Sequence, residues 1–188
     1  MVNLVAPTIV SEQEIFPGDG GQNTWGKTML KRQLQYPNRN KSDDFYLFHS
    51  NKVASIVLPL TPQNEVVAIR IFGQAANEFI LQLPGGVRRG SESFEDAARR
   101  EVLEETGHRG YALTPIGTGW FEPFNTTTPY RAFLLQGCTK EGEPKQEGTE
   151  LLRVEIYPWE QWWQLCVDGI IEDSKSTTLT IRASKYIK

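Results

Sequence analysis

The sequence predicts an α+β fold in which mixed β-sheets pack against helices, with an N-terminal antiparallel β subdomain or arm. β-Branched segments lie before and after one strongly helical segment, and a second helical segment follows them. This order differs from the regular strand–helix alternation of a doubly wound sheet. The length of 188 residues allows one compact domain with a small additional module.

Composition and charge restrict the classes of partner. The chain is 39% hydrophobic and 23% charged, as in ordinary globular proteins, and its formal net charge is −3. This charge provides no general attraction to nucleic acid or to an anionic membrane. The N-terminus lacks the pattern of a signal peptide, and the apolar runs are too short to span a membrane. Cys138 and Cys166 have no metal-ligand spacing, which favours reduced, partly buried thiols in a cytoplasmic protein.

The N-terminal region, residues 1–50, is expected to form the antiparallel subdomain or arm. Residues 1–22 are weakly patterned and end in "FPGDGGQ", a composition typical of turns. Residues 24–48 fit two strands around the polar turn "PNRNKSDD".

The larger region, residues 51–188, begins with strands. The β-branched segments "VASIVLPL" and "EVVAIRIF" are separated by "TPQN", which predicts a hairpin, and "EFILQLP" is a third strand. A helix is predicted over residues 93–106. Ser93 and Asp96 form a start similar to a capping box, and Gly107 is a typical stop.

Further strands and a second helix follow. The predicted strands are "YALTPIGTGWF", "YRAFLLQGC" and "ELLRVEIY", and the helix is "PWEQWWQLCVDG". In this helix Trp159, Trp162, Trp163, Cys166 and Val167 have helical spacing. The tryptophans favour an amphipathic helix that packs large rings on a sheet, and base stacking is the alternative.

The first helix carries an acidic cluster that has two interpretations. Glu101 and Glu105 lie one turn apart, and Glu104 lies beside them. Acidic side chains on a surface helix are most often a solvated face, with Arg99 and Arg100 offsetting part of the charge. The same carboxylates also suit a hard divalent cation, which would bind phosphate as a further ligand.

The order and spacing of the whole segment favour the metal site. Residues 86–108 are "GVRRGSESFEDAARREVLEETGH", which resembles the Nudix box, G-x5-E-x7-R-E-U-x-E-E-x-G-U, where U is bulky and apolar. Every fixed position is met except the last apolar one, which is His108. That position helps to pack the loop after the helix, so the departure leaves the chemistry in place.

The resemblance implies a Nudix α/β/α sandwich with mixed β-sheets over residues 51–188, and a hydrolase of diphosphate linkages in nucleoside diphosphate derivatives. By residue, it implies that Glu101, Glu104 and Glu105 bind Mg²⁺, with Mn²⁺ as a substitute and the Gly85 carbonyl as a further ligand. Arg100 would orient these glutamates. The remaining box residues implied to take part are Glu92, which pairs with the helix or binds an outer metal, and Gly86, which with Gly85 forms a loop near the metal.

Features outside the box resemble the ADP-ribose pyrophosphatase branch and its nucleoside diphosphate sugar relatives. They are the strand that begins at Glu78, Pro123 at 15 residues past the box, and the C-terminal pattern with a helix near "DSKST". The resemblance makes Glu78 a candidate substrate or metal contact, and Pro123 with Phe124 candidate substrate contacts. The resemblance makes Glu150 the candidate catalytic base, with Glu147 as the alternative. Phe124 stands where the branch usually has glycine, so its bulk is expected to reshape the pocket and to leave another nucleoside diphosphate sugar open as the substrate.

Other substrate contacts are also predicted. Arg88 and Arg70 have planar donor forks that suit phosphates, although Arg70 fits a surface charge equally. Trp25, Phe45 and Tyr46 fit either core packing or stacking on the nucleobase. In the resembling enzymes the N-terminal region dimerises, so the resemblance implies a homodimer.

Two rival functions remain open on the sequence. One is a Nudix hydrolase of dinucleoside polyphosphates, nucleoside triphosphates or coenzyme A, against which the C-terminal resemblance argues. The other is a Nudix-fold module that senses ADP-ribose without cleaving it. Loss of a box glutamate would indicate such a sensor, and none is lost.

Overall fold

The computed structural model describes residues 5–16, 27–37, 39–50, 52–145 and 151–187, which form two compact units. The first unit takes in the described residues of Met1–Val53 and the segment Trp120–Pro129, and the second takes in Ala54–Gly119 and Tyr130–Lys188. The sequence patterns did not indicate that residues 120–129 join the N-terminal region. The assignment of dimerisation and base contacts to residues 1–50 stays a prediction.

The first unit contains a three-stranded antiparallel sheet in the order β1-β2-β3. Its strands are β1 (Thr8–Phe16), β2 (Lys27–Gln35) and β3 (Ser42–Ser50). The prediction of two strands around a polar turn is correct for β2 and β3. It missed β1, whose apolar residues are mostly exposed. Backbone pairing with β2 and the ion pair between Arg32 and Glu12, at 2.6 Å, hold this strand, and hydrophobic periodicity shows neither.

The returning segment of the first unit is bound to β3 by backbone hydrogen bonds. The Phe48 amide donates to the Asn125 carbonyl at 2.8 Å, and the Thr127 amide donates to the Phe48 carbonyl at 3.0 Å. His49 Nδ1 also lies 2.6 Å from Thr127 Oγ1. These contacts explain why residues 120–129 belong to this unit although they are distant in sequence.

The second unit contains a seven-stranded mixed sheet and a small two-stranded sheet. The strands are β4 (Ala54–Leu60), β5 (Glu65–Gly73), β6 (Glu78–Gln82), β7 (Gly85–Val87), β8 (His108–Arg109), β9 (Ala112–Trp120), β10 (Pro129–Gln136), β11 (Thr139–Lys140) and β12 (Leu152–Pro158). The large sheet has the order β12-β5-β4-β10-β9, with β6 on β5 and β7 on β4, while β8 pairs with β11. Strands β4 and β10 are parallel, and the predicted β4–β5 hairpin is present.

Within the described ranges, three helices cover this sheet, and a short 3-10 helix, Ser184–Tyr186, follows the last of them. They are α1 (Phe94–Thr106), α2 (Trp159–Val167) and α3 (Ser174–Ala183). The predicted bounds of the first helix are correct. Ser93 Oγ accepts the Asp96 amide at 3.0 Å, and Gly107 ends the helix at φ 70° with its N–H bonded to the Leu103 carbonyl.

The helices lie on the two faces of the sheet, which gives the predicted sandwich. Val57 of β4 forms a core with Ala98 and Val102 of α1. Because side chains alternate along a strand, Leu58 points to the other face, and α3 also packs on β4. Trp162 of α2 is fully buried, as the packing interpretation requires, and its Nε1 donates to Thr180 Oγ1 at 2.7 Å.

The other residues of α2, the tryptophan helix, differ in burial. Cys166 is buried, whereas Val167 is exposed, so the packed face is narrower than the spacing suggested. Cys138 is also buried, and both cysteines are free thiols, as predicted. Burial raises the pKa of the Cys138 thiol to about 12. In the part of the chain that the structure describes, no helix has the length and apolar character needed to cross a membrane.

Candidate active site

The glycine pair before α1 forms a close approach between the backbone and the acidic helix. Gly85 and Gly86 belong to strand β7, so the segment predicted as a loop is in fact paired with β4. A Cβ at Gly85 would lie 2.3 Å from the Ser55 carbonyl oxygen, and a Cβ at Gly86 would lie 2.3 Å from Glu101 Oε1. Gly85 therefore requires glycine for steric reasons, because a side chain there would meet the β4 backbone. A side chain at Gly86 would displace the Glu101 carboxylate, which packs directly against the backbone of β7.

Arg100 lies at the centre of the box carboxylates. Its Nε lies 2.9 Å from Glu92 Oε1, while Nη1 lies 2.7 Å from Glu101 Oε1 and 2.9 Å from Glu104 Oε2. Nη2 donates to the Val87 carbonyl and to Glu92 Oε2, each at 3.0 Å. One guanidinium thus ties α1 to β7 and to the preceding loop. These contacts support an orienting role for Arg100, which remains a prediction.

The three predicted metal ligands have different surroundings. Burial raises the pKa of Glu101, with the repulsion of Glu104 adding to it and the Arg100 hydrogen bond opposing it. Glu105 is only 7% exposed, and its Oε2 accepts the Gly85 N–H at 2.7 Å. The group of Gly85 that contacts this cluster is therefore its N–H, whereas the sequence predicted its carbonyl as a metal ligand.

Glu92 pairs with the helix, which is one of the two roles that the sequence left open. Hydrogen bonding to Arg100 lowers its pKa, and its Oε2 also accepts the Arg89 amide at 3.1 Å. The Arg89 side chain contacts Glu104 through Nη1 and Nη2, each at 3.2 Å. Sequence reasoning missed Arg89, because it occupies a position that the box leaves variable.

The donors fit a hard divalent cation that keeps external ligands. Glu101, Glu104 and Glu105 supply carboxylate oxygens along one side of α1, the ligand type that Mg²⁺ and Mn²⁺ prefer. Among the described residues, no three His, Cys, Asp or Glu side chains are placed to hold a metal by themselves. Arg100 and Arg89 hydrogen-bond Glu104, and the Gly85 N–H donates to Glu105. Magnesium usually binds through one or two carboxylates together with water and substrate phosphates, so a closed protein cage is unnecessary.

His108, the one departure from the box, is buried behind α1. Its Nδ1 lies 2.8 Å from the Thr106 carbonyl oxygen, and its amide donates to Thr106 Oγ1 at 3.2 Å. A buried imidazole with a hydrogen-bond partner can replace an apolar side chain at this position.

Arg88 lies over the ring of Phe94, the first residue of α1, with its Cζ 4.7 Å from the ring centroid. Arg131 of β10 lies over the same ring at 5.2 Å. Arg88 was predicted from the sequence, whereas Arg131 was missed because it lies far from the box in the chain.

Arg70 forms a two-point ion pair with Glu155 across strands β5 and β12. The distances are 2.7 Å from Nε to Oε1 and 3.1 Å from Nη2 to Oε2. These hydrogen bonds lower the pKa of Glu155 to about 2. Arg70 is therefore held in place, and its predicted contact with a phosphate remains a prediction.

A cavity of about 390 Å³ lies next to this ion pair. Its lining includes Arg70, Phe79, Leu151, Leu152 and Arg153. It combines an exposed aromatic ring with two guanidinium groups. Sequence reasoning did not find it, because its walls come from three separate strands.

The other predicted contacts lie elsewhere. Glu78 is exposed at the start of β6. In the first unit Phe45 is half-buried, with its ring centroid 6.4 Å from that of Tyr36, and the Phe124 side chain is 83% exposed next to Pro123. Tyr46 of the same unit is exposed. Trp25, Glu147 and Glu150 lie outside the described residues.

Comparison with known proteins identifies the family. The NUDIX domain model matches residues 50–176, and the chain belongs to the Nudix family. It is a Nudix hydrolase with the predicted sandwich fold, and hydrolases of this family generally use divalent metal cations.

The similar proteins include ADP-ribose pyrophosphatases. That of Bacillus subtilis (strain 168) is 27% identical over 136 residues, which cover 72% of this chain and 69% of that protein. That of Escherichia coli (strain K12) is 29% identical over 134 residues, covering 65% and 63%. An oxidized purine nucleoside triphosphate hydrolase of Danio rerio is 27% identical over 117 residues, covering 61% and 74%. A crystal structure of an ADP compounds hydrolase shares the fold, with a TM-score of 0.82 at 18% identity, covering 100% of this chain and 97% of that one.

Proposed function

We propose that the protein cleaves the diphosphate of ADP-ribose or of nucleoside diphosphate sugars in the presence of Mg²⁺. The products are a nucleoside monophosphate and a sugar phosphate. The observation that carries the proposal is the grouping of the box carboxylates around Arg100, directly against the glycine strand β7. The similarity to ADP-ribose pyrophosphatases supports the choice of substrate class.

The box residues divide the work between them. Glu101, Glu104 and Glu105 would hold the metal, which when bound neutralises the diphosphate and lowers the pKa of a water molecule. Arg100 fixes the rotamers of Glu101 and Glu104 through its hydrogen bonds, so these carboxylates lose little freedom on binding. Gly86 leaves room for Glu101, because any larger residue would displace its carboxylate.

A general base is also required to take a proton from the attacking water. Glu150 is the proposed base and Glu147 the alternative, on the strength of the C-terminal resemblance. Both lie outside the described residues.

The cavity next to Arg70 is the proposed site for the nucleobase. Phe79 offers a ring for stacking, and the Arg70 and Arg153 guanidinium groups can stack on a planar base or bind its acceptors. Glu78 begins the strand that carries Phe79. Trp25, Phe45, Pro123 and Phe124 remain proposed contacts from the resemblance alone.

A second candidate is hydrolysis of a nucleoside triphosphate. The match to the oxidized purine nucleoside triphosphate hydrolase, which covers 74% of that protein, favours including it. The same carboxylates would serve, and only the pocket would select the substrate.

A substrate panel tests the proposal. The protein is incubated with Mg²⁺ and ADP-ribose, several nucleoside diphosphate sugars, a nucleoside triphosphate, a diadenosine polyphosphate or coenzyme A, and the products are identified by mass. We expect the largest kcat/KM for ADP-ribose or a nucleoside diphosphate sugar. Glu105→Gln should lower it by roughly 10²–10³-fold, as expected for loss of a group that stabilises charge in the transition state.

Glu95→Gln is the matched control, because Glu95 is an exposed acid on the same helix without an assigned role. It should leave kcat/KM unchanged. Near-normal turnover by Glu105→Gln would contradict the metal assignment. Tight binding of ADP-ribose without turnover would replace the proposal with the sensor.

The proposal includes a homodimer in the cytoplasm, and both attributes rest on the resemblance and the composition. Light scattering of the purified protein tests for the dimer. A monomer mass at micromolar concentration would contradict it.

A further inference from the structure

Two arginines of the second unit differ from the other arginines that the structure describes. In the described ranges, Arg88 and Arg131 are the arginines whose guanidinium groups contact neither a carboxylate nor a carbonyl oxygen. Both are exposed, and both lie over the ring of Phe94, at 4.7 and 5.2 Å from its centroid. The ring positions the two cations, and their N–H donors have no acceptor among the residues that the structure describes.

Arg88 follows Gly86 by two residues, and Arg131 lies in the same cross-strand row as Gly86. In the sheet, Gly86 of β7 pairs with Ser55 of β4, and Ser55 pairs with Arg131 of β10. Since neighbouring strands are about 4.8 Å apart, Arg131 stands about 10 Å from Gly86 along this row. A Cβ at Gly86 would meet Glu101, and Ser55 Oγ donates to the Phe94 carbonyl at 2.9 Å. The row therefore faces α1 at all three positions.

The chemistry of the pair suits a phosphate. Guanidinium groups present N–H donors in a planar fork that matches phosphate oxygens, and two of them near one ring offer two such forks. The nearby box glutamates repel an anion, except where a cation offsets them. Two cations at the edge of this acidic cluster would give a phosphate a favourable position.

We propose that Arg88 and Arg131, held by Phe94, form an anion-binding site for a phosphate group of the substrate, with Arg131 as a specificity-determining residue. This inference rests on the proposed function. The phosphate belongs either to the reacting diphosphate or to a phosphomonoester carried elsewhere on the nucleotide. Both phosphates would be bound by the same guanidinium donors, and kinetic measurements with two substrates distinguish them.

Binding of inorganic pyrophosphate to the metal-free protein tests the site without any need for turnover. Calorimetric titration should detect binding to the unmodified protein. Arg88→Gln and Arg131→Gln should each weaken it about tenfold, because each removes charge-assisted hydrogen bonds. Arg131→Lys keeps the charge but loses the planar fork of donors. Its affinity for pyrophosphate should therefore lie between those of the unmodified protein and Arg131→Gln.

Arg109→Gln is the matched control, since the Arg109 guanidinium is exposed and already paired with Glu141. It should bind pyrophosphate like the unmodified protein. Circular dichroism checks that each variant is folded, which is expected because the altered side chains are exposed. Absence of binding to the unmodified protein, or equal binding by all variants, would overturn the proposal.

Kinetics with ADP-ribose and with its 2′-phosphate identify the source of the phosphate. If Arg131→Gln raises KM about tenfold for both substrates, the site binds the reacting diphosphate. A rise for the 2′-phosphate alone assigns it to the phosphomonoester, and no rise for either overturns a role in substrate binding. If neither substrate is hydrolysed, the proposed function fails, while the pyrophosphate titration still decides whether the arginine pair binds anions.

Discussion

At the scale of single residues, the site depends on how closely Gly86 and Glu101 approach each other. The glycine leaves a space that the Glu101 carboxylate fills, and Arg100 Nη1 donates to Oε1 of that carboxylate at 2.7 Å. The position of the glutamate is therefore set by the absence of one carbon atom and by one hydrogen bond.

Gly86→Ala should lower kcat/KM by about 100-fold or more, because the new Cβ would lie 2.3 Å from Glu101 Oε1 and displace it. We expect little change in the free energy of unfolding, because the atoms nearest to the new Cβ would belong to the end of a flexible side chain rather than to the backbone. Initial rates and urea unfolding measure the two effects.

Gly142→Ala is the control for this change, since a Cβ at Gly142 meets no atom within 4 Å. It should affect neither the rate nor the stability. A Gly86→Ala enzyme with activity within about twofold of the unmodified protein would show that Glu101 does not need its present position.

At the scale of elements, a cluster of polar side chains joins strands β5 and β12 at the cavity. Glu155 accepts hydrogen bonds from Arg70, at 2.7 and 3.1 Å, from Arg153 at 2.7 Å and from the Tyr157 hydroxyl. These hydrogen bonds hold the wall of the proposed nucleobase site in place, and their strength depends on the charge of Glu155.

This cluster predicts a loss of stability in acid. The Arg70 hydrogen bonds lower the pKa of Glu155 from 4.5 to about 2, so the folded state holds the proton less tightly than the unfolded state. The stabilisation is therefore complete above pH 4.5 and is lost as the pH falls towards 2. Glu155→Gln should be less stable at pH 7 by roughly 1.5–3 kcal/mol, and this difference should shrink at pH 3.

Urea unfolding of both proteins at the two pH values measures the effect. Glu160→Gln is the matched control, because Glu160 is exposed on α2 and should lose no stability. An unchanged difference between pH 7 and pH 3 would show that the charge of Glu155 does not stabilise the β5–β12 pair.

At the scale of the whole molecule, we expect binding of a divalent cation at Glu101, Glu104 and Glu105 to raise the stability of the protein. Glu101, Glu104 and Glu105 repel one another on adjacent turns, and Arg100 and Arg89 offset only part of that charge. A cation that binds only the folded state should therefore stabilise it.

Mg²⁺ at about ten times its Kd should add about 1.4 kcal/mol of stability, which corresponds to a rise in Tm of about 3–5 °C for a chain of this size. Scanning calorimetry with and without Mg²⁺ measures the shift. The double variant Glu104→Gln, Glu105→Gln should lose the shift, whereas Glu95→Gln should keep it. An equal shift in all three proteins would place the cation elsewhere.

Part of this site was predictable from the sequence because its residues are close together in the chain. Helix α1, its Ser93 cap and its Gly107 stop follow from local preferences, and the box spacing places the glutamates on one side of it. The strand β1 was not predictable, because its exposed side chains carry no periodic burial. The tryptophan helix shows an intermediate case, in which the spacing predicted the element but only Trp162 and Cys166 are buried.

The sequence by itself determined the family, the mixed α+β fold and the acidic helix, because these depend on local spacing and alternation. Only the tertiary structure decided which distant residues meet. It brought Arg131 to Phe94 through the parallel pairing of β10 with β4, and it paired Arg70 with Glu155 across two strands. Strand pairing joins residues that are far apart in the chain, and a single sequence carries no direct signal of that pairing. For this reason the grouping of the box residues around Arg100 was predictable, while the proposed anion site and the cavity were not.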